Sequence, residues 1–263
     1  MTSDNKPVVA DAILLTTGYD TFDAHKKEEY GYGIYDNVIT SADLEEIFSQ
    51  KKPILTHDGR IPQRVAFIHC VGSRDEKVGN INCSKVCCVT AVKQAIEVKE
   101  RIPNAEIFSL YMDLRMFGMK FEDLYKEAQE KYGINFLRGR LSEAAENQNG
   151  SLVLKAEDTL TGRPLKITVD LLVLMVGIVP AKGSVEIAKI LDVKLGRSGF
   201  IETIDEHTST NSTSVLGVFV AGAASAPRTV TSTLTDARAA SLKVASYLQE
   251  LSVEHRSINV CNE

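Results

Sequence analysis

The sequence predicts an α/β protein in which a Rossmann-like domain interrupts a second domain. Three observations carry that prediction. Between residues 64 and 138, strand-sized apolar runs alternate with segments of helical period, the pattern of a parallel sheet. A β-meander and a return strand follow. Finally, Ala12–Gly18 (AILLTTG) is echoed by Leu171–Gly177 (LLVLMVG), so two apolar strands ending in glycine bracket the insertion. Residues 61–180 are therefore expected to form the inserted domain, with 1–60 and 181–263 as parts of the other.

Each element has a local reason. Val8–Leu15 is an apolar strand ended by the turn signal Thr16–Asp20. Lys26–Thr40 is polar and glycine-rich and is expected to be loop. Ser41–Phe48 reads as a short helix with Ser41 at its N-cap. Lys51–Pro62 is a linker with two prolines. Arg64–Val71 is a strand, Gly72–Asn82 a loop, and Cys83–Arg101 a helix with Val86, Val89, Val92 and Ile96 on one side. Ala105–Tyr111 is the second strand, Phe121–Tyr132 a helix stopped by Gly133, and Ile134–Arg138 the third strand. Leu152–Glu157 and Leu165–Val169 flank Thr161-Gly162 as a hairpin. Asp170–Val176 is the buried return strand. Beyond it come a short helix at Val185–Leu191, a strand at Val215–Val220 and a helix at Thr231–Leu251.

Composition narrows the function. A net charge of -5 argues against nucleic acid, which favours a basic face. No apolar run approaches the roughly 18 residues of a membrane helix, and the start lacks the apolar core of a signal peptide. The expected setting is cytoplasmic and reducing, where clustered cysteines are more often ligands or redox groups than structural disulfides.

Cys70, Cys83, Cys87 and Cys88 are spaced C-x12-C-x3-C-C. Cys70 ends the first strand of the βαβ unit. Cys83 and Cys87, four apart on the expected helix, would share a face, with Cys88 turned by about 100°. A helix N-terminus, whose free N–H groups commonly hold a pyrophosphate, would here hold an anionic thiolate cluster. Val71-Gly72-Ser73-Arg74-Asp75 keeps one glycine where GxGxxG would stand, which argues against tight NAD(P) binding. The spacing favours an iron–sulfur cluster over three alternatives. Zinc prefers C-x2-4-C knuckles, a thiol–disulfide site prefers C-x-x-C, and buried core cysteines need no ligand. Cys261, in a polar tail, is expected to be a bystander.

Other candidates have blander readings beside them. Lys93 is a cation for a flavin or cluster, or a solvated helix lysine. His69 is a cluster neighbour, or a satisfied core residue. Asp113 stands where a ribose-binding acid would, but Arg115 makes a salt bridge the preferred reading. Gly18 brings bare backbone to a strand end. Gly222 and Ala223 form a glycine turn that can approach a flavin's ribityl chain or pyrophosphate, or an ordinary βα turn. Thr229, Val230 and Thr231 at the next helix start can offer N–H groups to the flavin ring.

At these residues the chain resembles the flavin-binding, iron–sulfur subunits of the heterodisulfide reductase family, known as the A subunits, and their relatives, among them flavin subunits of quinone-interacting membrane-bound oxidoreductases. The matching segments are ILLTTGYDTFDA, EEYGYGIYDNVIT, VAFIHCVGSRDE, CSKVCCVTAVKQA, YMDLRMFGMKFEDLY, INFLRGR, EDTLTG and GVFVAGAASAPRTV, covering roughly residues 8–250. The resemblance implies a thioredoxin-reductase-like fold with two dinucleotide-binding domains, FAD as cofactor, and a [4Fe-4S] cluster on Cys70, Cys83, Cys87 and Cys88. It implies that Lys93 lies close to the isoalloxazine, and that electrons pass between a donor module and partner iron–sulfur subunits. The chain departs from the family in three places. It has no FAD phosphate loop, so the FAD domain is expected to be partial and completed by another portion or a separate chain. Arg228-Thr229-Val230-Thr231 stands for Lys-Asp-Ile-Pro, and Met119-Lys120 for Lys-Gly. Two further functions compete: a non-catalytic docking module, and a pyridine-nucleotide-disulfide-reductase-like flavoprotein.

Overall fold

A computed structural model describes residues 9–260. The chain up to Asp20, together with the chain from Val179, forms one compact unit; Thr21–Ile178 forms the other.

Strand β1 (Ile13–Leu15) belongs to the first unit, and β2 (Tyr19–Thr21) carries the chain into the second. The expected strand Val8–Leu15 is thus shortened. Val8 lies outside the described residues, and Val9 is 94% exposed, so its apolar side chain gains nothing from pairing.

In the second unit, β3 (Val38–Thr40) leads directly into α1 (Ser41–Ser49). The helix is capped by Thr40 rather than Ser41. The Thr40 hydroxyl accepts from the Asp43 amide at 3.2 Å, and the Asp43 carboxylate accepts from the Thr40 amide at 2.8 Å, a capping box. Then follow β4 (Arg64–Val71), α2 (Cys87–Arg101), β5 (Glu106–Tyr111), α3 (Met119–Glu130) and β6 (Asn135–Arg138). Strands β7 (Leu141–Glu146), β8 (Leu152–Asp158) and β9 (Arg163–Val169) make an antiparallel meander, and β10 (Leu171–Val176) returns to the main sheet. That sheet is parallel throughout, in the order β3-β10-β4-β5-β6.

The placement of β3 corrects the expected domain boundary. Residues 21–60 belong with the inserted domain. Val38–Thr40 pairs with Leu172–Leu174, and Leu44, Phe48 and Ile54 are buried in the same core as Val65, Phe67 and Val173. The segment Lys26–Thr40 is accordingly not all loop. Its apolar end completes the sheet edge.

Helix α2 differs from expectation in two ways. It starts at Cys87, so Cys83 is not helical. Lys85 has φ +62°, a left-handed conformation that a right-handed helix cannot contain. The buried stripe is Cys87, Cys88, Ala91, Val92, Ala95 and Val98, rotated from the stripe through Val86, Val89 and Ile96. Gln94 completes that face by donating to the Ser41 carbonyl at 2.9 Å and to Glu45 Oε2 at 3.1 Å.

Strand β11 (Ile178–Pro180) carries the chain back into the first unit, where α4 (Ser184–Leu191), β12 (Val218–Val220) and α5 (Val230–Val260) complete it. There β1 pairs in parallel with β12, and Leu15, Val193, Ile201, Val218, Val220 and Ala224 form a small core. The echo between the two glycine-ended strands holds only in part. Leu171–Val176 is buried throughout, whereas Ile13 and Leu14 are partly exposed.

Candidate metal centre

The four cysteines owe their positions to three irregularities. The first is a β-bulge. Leu174 stands opposite Ile68 and Val176 opposite Val71, so β4 spends two residues, His69 and Cys70, where β10 spends one. Bulges re-aim side chains, and Cys70 sits at the bend with φ +60°. The second is the loop 72–86, which folds back on itself. Ser73 and Ser84 are buried and hydrogen-bonded at 2.5 Å. Ser84 Oγ also accepts from the Ile178 amide at 2.7 Å, and Asn80 donates to the Gly72 and Ile178 carbonyls at 2.7 and 3.2 Å. Gly177 makes that closure possible, since a Cβ there would stand 2.1 Å from Ser73 Oγ. The third is the start of α2, where Val86 provides no side-chain cap, leaving first-turn amides for an anion.

Cys70, Cys87 and Cys88 meet here. The neighbouring Cys87 thiol draws Cys70 below the ordinary thiol range and Cys88 down to about 4, against the burial that opposes both, while Cys87 itself is pushed up by the same two neighbours. His69 adds to the effect on Cys88, and the Arg74 charge to that on Cys70. Three buried, neighbouring thiols form a donor set suited to a soft metal centre. Cys83 stands apart from this trio, partly exposed, with its sulfur accepting from the Lys85 amide at 3.4 Å. All four thiols are free of disulfide bonds. Among the described residues, no three His, Cys, Asp or Glu side chains are arranged around a single metal ion. Cys261 lies outside the described residues.

Asp113 is held by Arg74 and Arg115, the salt-bridge reading rather than the ribose one. Lys93 is exposed on α2. The remaining flavin candidates lie in the first unit. Gly18 has φ +72° and open space where a Cβ would be. Gly222 has φ +71°, but its amide is not free: it donates to Asp236 Oδ2 at 2.7 Å. Ala223 is buried. Thr229 caps α5 by accepting from the Ser232 amide at 3.2 Å, and Val230, the first helical residue, is 79% exposed.

Two groups of buried charges carry no sequence signature. One is Asp236, which also accepts from Asn211 at 3.2 Å and pairs with Arg228 at 3.2 Å, so that a helix carboxylate fixes the glycine turn. Asp236→Ala leaves a half-buried guanidinium and two buried donors without this carboxylate. We expect a loss of about 3 kcal/mol, read as a lower urea midpoint. The other is Lys27 with Asp75, which joins the Cys70–Cys83 loop to a distant segment. No local motif marks either, because Asp236 has partners 14 and 25 residues away as well as Arg228 on the approach to its own helix, and Lys27 and Asp75 are 48 apart.

The family model of the pyridine nucleotide-disulphide oxidoreductases matches residues 2–241. The chain is 42% identical over 252 residues to the A subunit of the H(2)/formate:CoB-CoM heterodisulfide,ferredoxin reductase of Methanococcus maripaludis, covering 92% of this chain and 38% of that protein. It is 41% identical over 241 residues to the iron-sulfur A subunit of the CoB--CoM heterodisulfide reductase of Methanocaldococcus jannaschii, covering 89% and 36%. The resemblance to the heterodisulfide reductase A subunits therefore holds, and the chain spans less than two fifths of these relatives. Among solved structures, thioredoxin reductases of Lactococcus lactis (TM-score 0.58, 16% identity) and T. acidophilum (TM-score 0.56, 17% identity) each match 91% of this chain and 66% of their own. The fold is thioredoxin-reductase-like.

Proposed function

The chain belongs to the pyridine nucleotide-disulphide oxidoreductase family, and from that membership we propose that it is an electron-transfer subunit, or part of one, of a heterodisulfide-reductase-like complex. In this reading Cys70, Cys83, Cys87 and Cys88 hold a [4Fe-4S] cluster, and Gly18, Gly222, Ala223, Thr229 and Val230 contact FAD, with Lys93 as a cation for its ring. The observation that carries the reading is the grouping of three buried thiols at the uncapped start of α2, with a fourth cysteine just upstream. In a cubane each cysteine binds its own iron, so its ligands surround the group rather than crowd one ion. The four cysteines of the motif supply the four thiolates that a cubane takes, one for each iron.

When bound, the cluster supplies one-electron transfer at a potential set by its charge, burial and hydrogen bonds. The chain's own residues do the rest. The bulge aims Cys70 and Arg74 offsets negative charge beside it. Ala91 and Val92, in the same core as Cys70, Cys87 and Cys88, exclude water from the inner side, and the α2 amides face the anion. In the flavin region Asp236 takes the Gly222 amide, so the turn is held rigid and Gly222 offers FAD its side-chain-free surface rather than its N–H. The proposed partners are iron–sulfur subunits of the same kind of complex, an electron-donor module, and a chain or segment completing the FAD domain. The proposed setting is cytoplasmic. Among the described residues no helix is long and apolar enough to cross a membrane.

Contact among Cys70, Cys87 and Cys88 also favours a second reading, a redox-active dithiol. Anaerobic reconstitution with ferrous iron and sulfide separates the two. The cluster reading expects about four iron and four sulfide per chain. No uptake, with two thiols lost on mild oxidation, overturns it in favour of the dithiol.

A further inference from the structure

Beside the cysteines, His69 is a buried side chain whose hydrogen bonding is half complete. It is 6% exposed, occupies the β4 bulge next to Cys70, and points across to β5, where its Nε2 lies 2.8 Å from Ser109 Oγ. Its Nδ1 is fully buried and has no hydrogen-bond partner. Tyr111 packs near the ring at 6.4 Å without offering that nitrogen a partner. A buried ring nitrogen without a partner is costly and calls for an explanation.

Ser109 supplies one. A serine hydroxyl donating to Nε2 makes that nitrogen the acceptor and leaves the proton on Nδ1. From this geometry we infer that His69, oriented by Ser109, donates its Nδ1–H to sulfur at the cysteine centre and thereby raises the reduction potential of the group bound there. His69 is a positioning and tuning residue, not a ligand. His69 stands immediately before Cys70 in the bulge, beside the cysteine centre. The physical reason is general: reduction adds negative charge to the sulfurs, and an N–H aimed at them stabilises the reduced state more than the oxidised one. The inference rests on the cluster reading above.

Two substitutions separate the nitrogens. In His69→Gln the amide reaches the Nε2 position and keeps Ser109, but nothing stands at Nδ1. In His69→Asn the amide nitrogen occupies the Nδ1 position and Ser109 is lost. The experiment measures iron and sulfide content, then the midpoint potential by anaerobic redox titration of the reconstituted chain. The expected result is wild-type iron content in both, a fall in the reduction equilibrium constant of roughly fivefold in His69→Gln (about 40 mV at 59 mV per tenfold), and a potential near wild type in His69→Asn. Ser109→Ala, which frees the ring without touching it, is expected to give a smaller fall in the same direction. If wild type loads but His69→Gln keeps the wild-type potential, or Asn and Gln shift alike, the tuning role is wrong while the cluster stands. If wild type takes up no iron, both fall.

Discussion

Replacing Cys87 by serine is expected to abolish retention of iron and sulfide, leaving less than about a tenth of the wild-type content after desalting. Cys87 is a buried thiol at the first residue of α2, grouped in the core with Cys70 and Cys88. A serine hydroxyl fits the space but does not ionise near neutral pH and is a far harder ligand than thiolate. Cys70→Ser and Cys88→Ser are expected to behave alike. Cys83→Ser decides whether the outlying cysteine is the fourth ligand, and should reduce cluster content as severely. Cys261→Ser should leave it unchanged. The measurement is iron and labile sulfide per chain, with helical circular dichroism as the control. Because the substitution is nearly isosteric, loss of cluster without loss of helix is the expected pattern.

The second large effect is on stability, at Lys27→Met. Lys27 is 4% exposed, lies 3.0 Å from Asp75 and 2.5 Å from Glu29, and Asp75 is 3% exposed with Arg140 at 2.7 Å. Removing one member of a buried ion pair leaves the other desolvated, and about 3 kcal/mol should be lost. Arg140 softens the cost without cancelling it. Since Asp75 also accepts from the Lys77 amide at 3.1 Å, its loop between Cys70 and Cys83 loosens with it, and cluster content should fall in parallel. Urea unfolding followed by circular dichroism reads the first effect and iron content the second.

The same group makes stability depend on pH. Burial opposes ionisation of Asp75, but the Lys27 hydrogen bond and the charges of Lys27 and Arg140 outweigh it and hold the carboxyl below its ordinary range. A depressed carboxyl pKa stabilises the fold above the unfolded-state value of about 3.9, and that contribution disappears as pH falls through the folded value. In Lys27→Met this acid-side slope should flatten.

Much of the fold is visible in single segments. β4, β5 and β10 are apolar runs whose burial needs no partner information, and α3 is amphipathic with Gly133 after it. The misplacements share one cause. A bulge at His69–Cys70 is a property of pairing with a strand about a hundred residues later. β3 becomes a strand because Leu172–Leu174 lies beside it, not because of its own polar surroundings. β7, LSEAAE, places Leu141 and Ala144 three apart and looks helical until β8 pairs with it. The cysteine motif itself was legible, since four thiols in one stretch are rare. Its geometry was not. Lys85 takes a left-handed conformation that its side chain does not advertise, and this moves Cys83 off the helix. The buried charges join residues 48 and 65 positions apart, and nothing local announces them.

Iron K-edge X-ray absorption on the anaerobically reconstituted chain tests the central claim most directly. Four cysteine sulfurs holding one cubane predict iron surrounded only by sulfur, with a strong iron–iron scattering shell. Iron bound by oxygen or nitrogen, or sulfur-bound iron lacking an iron neighbour, would contradict it.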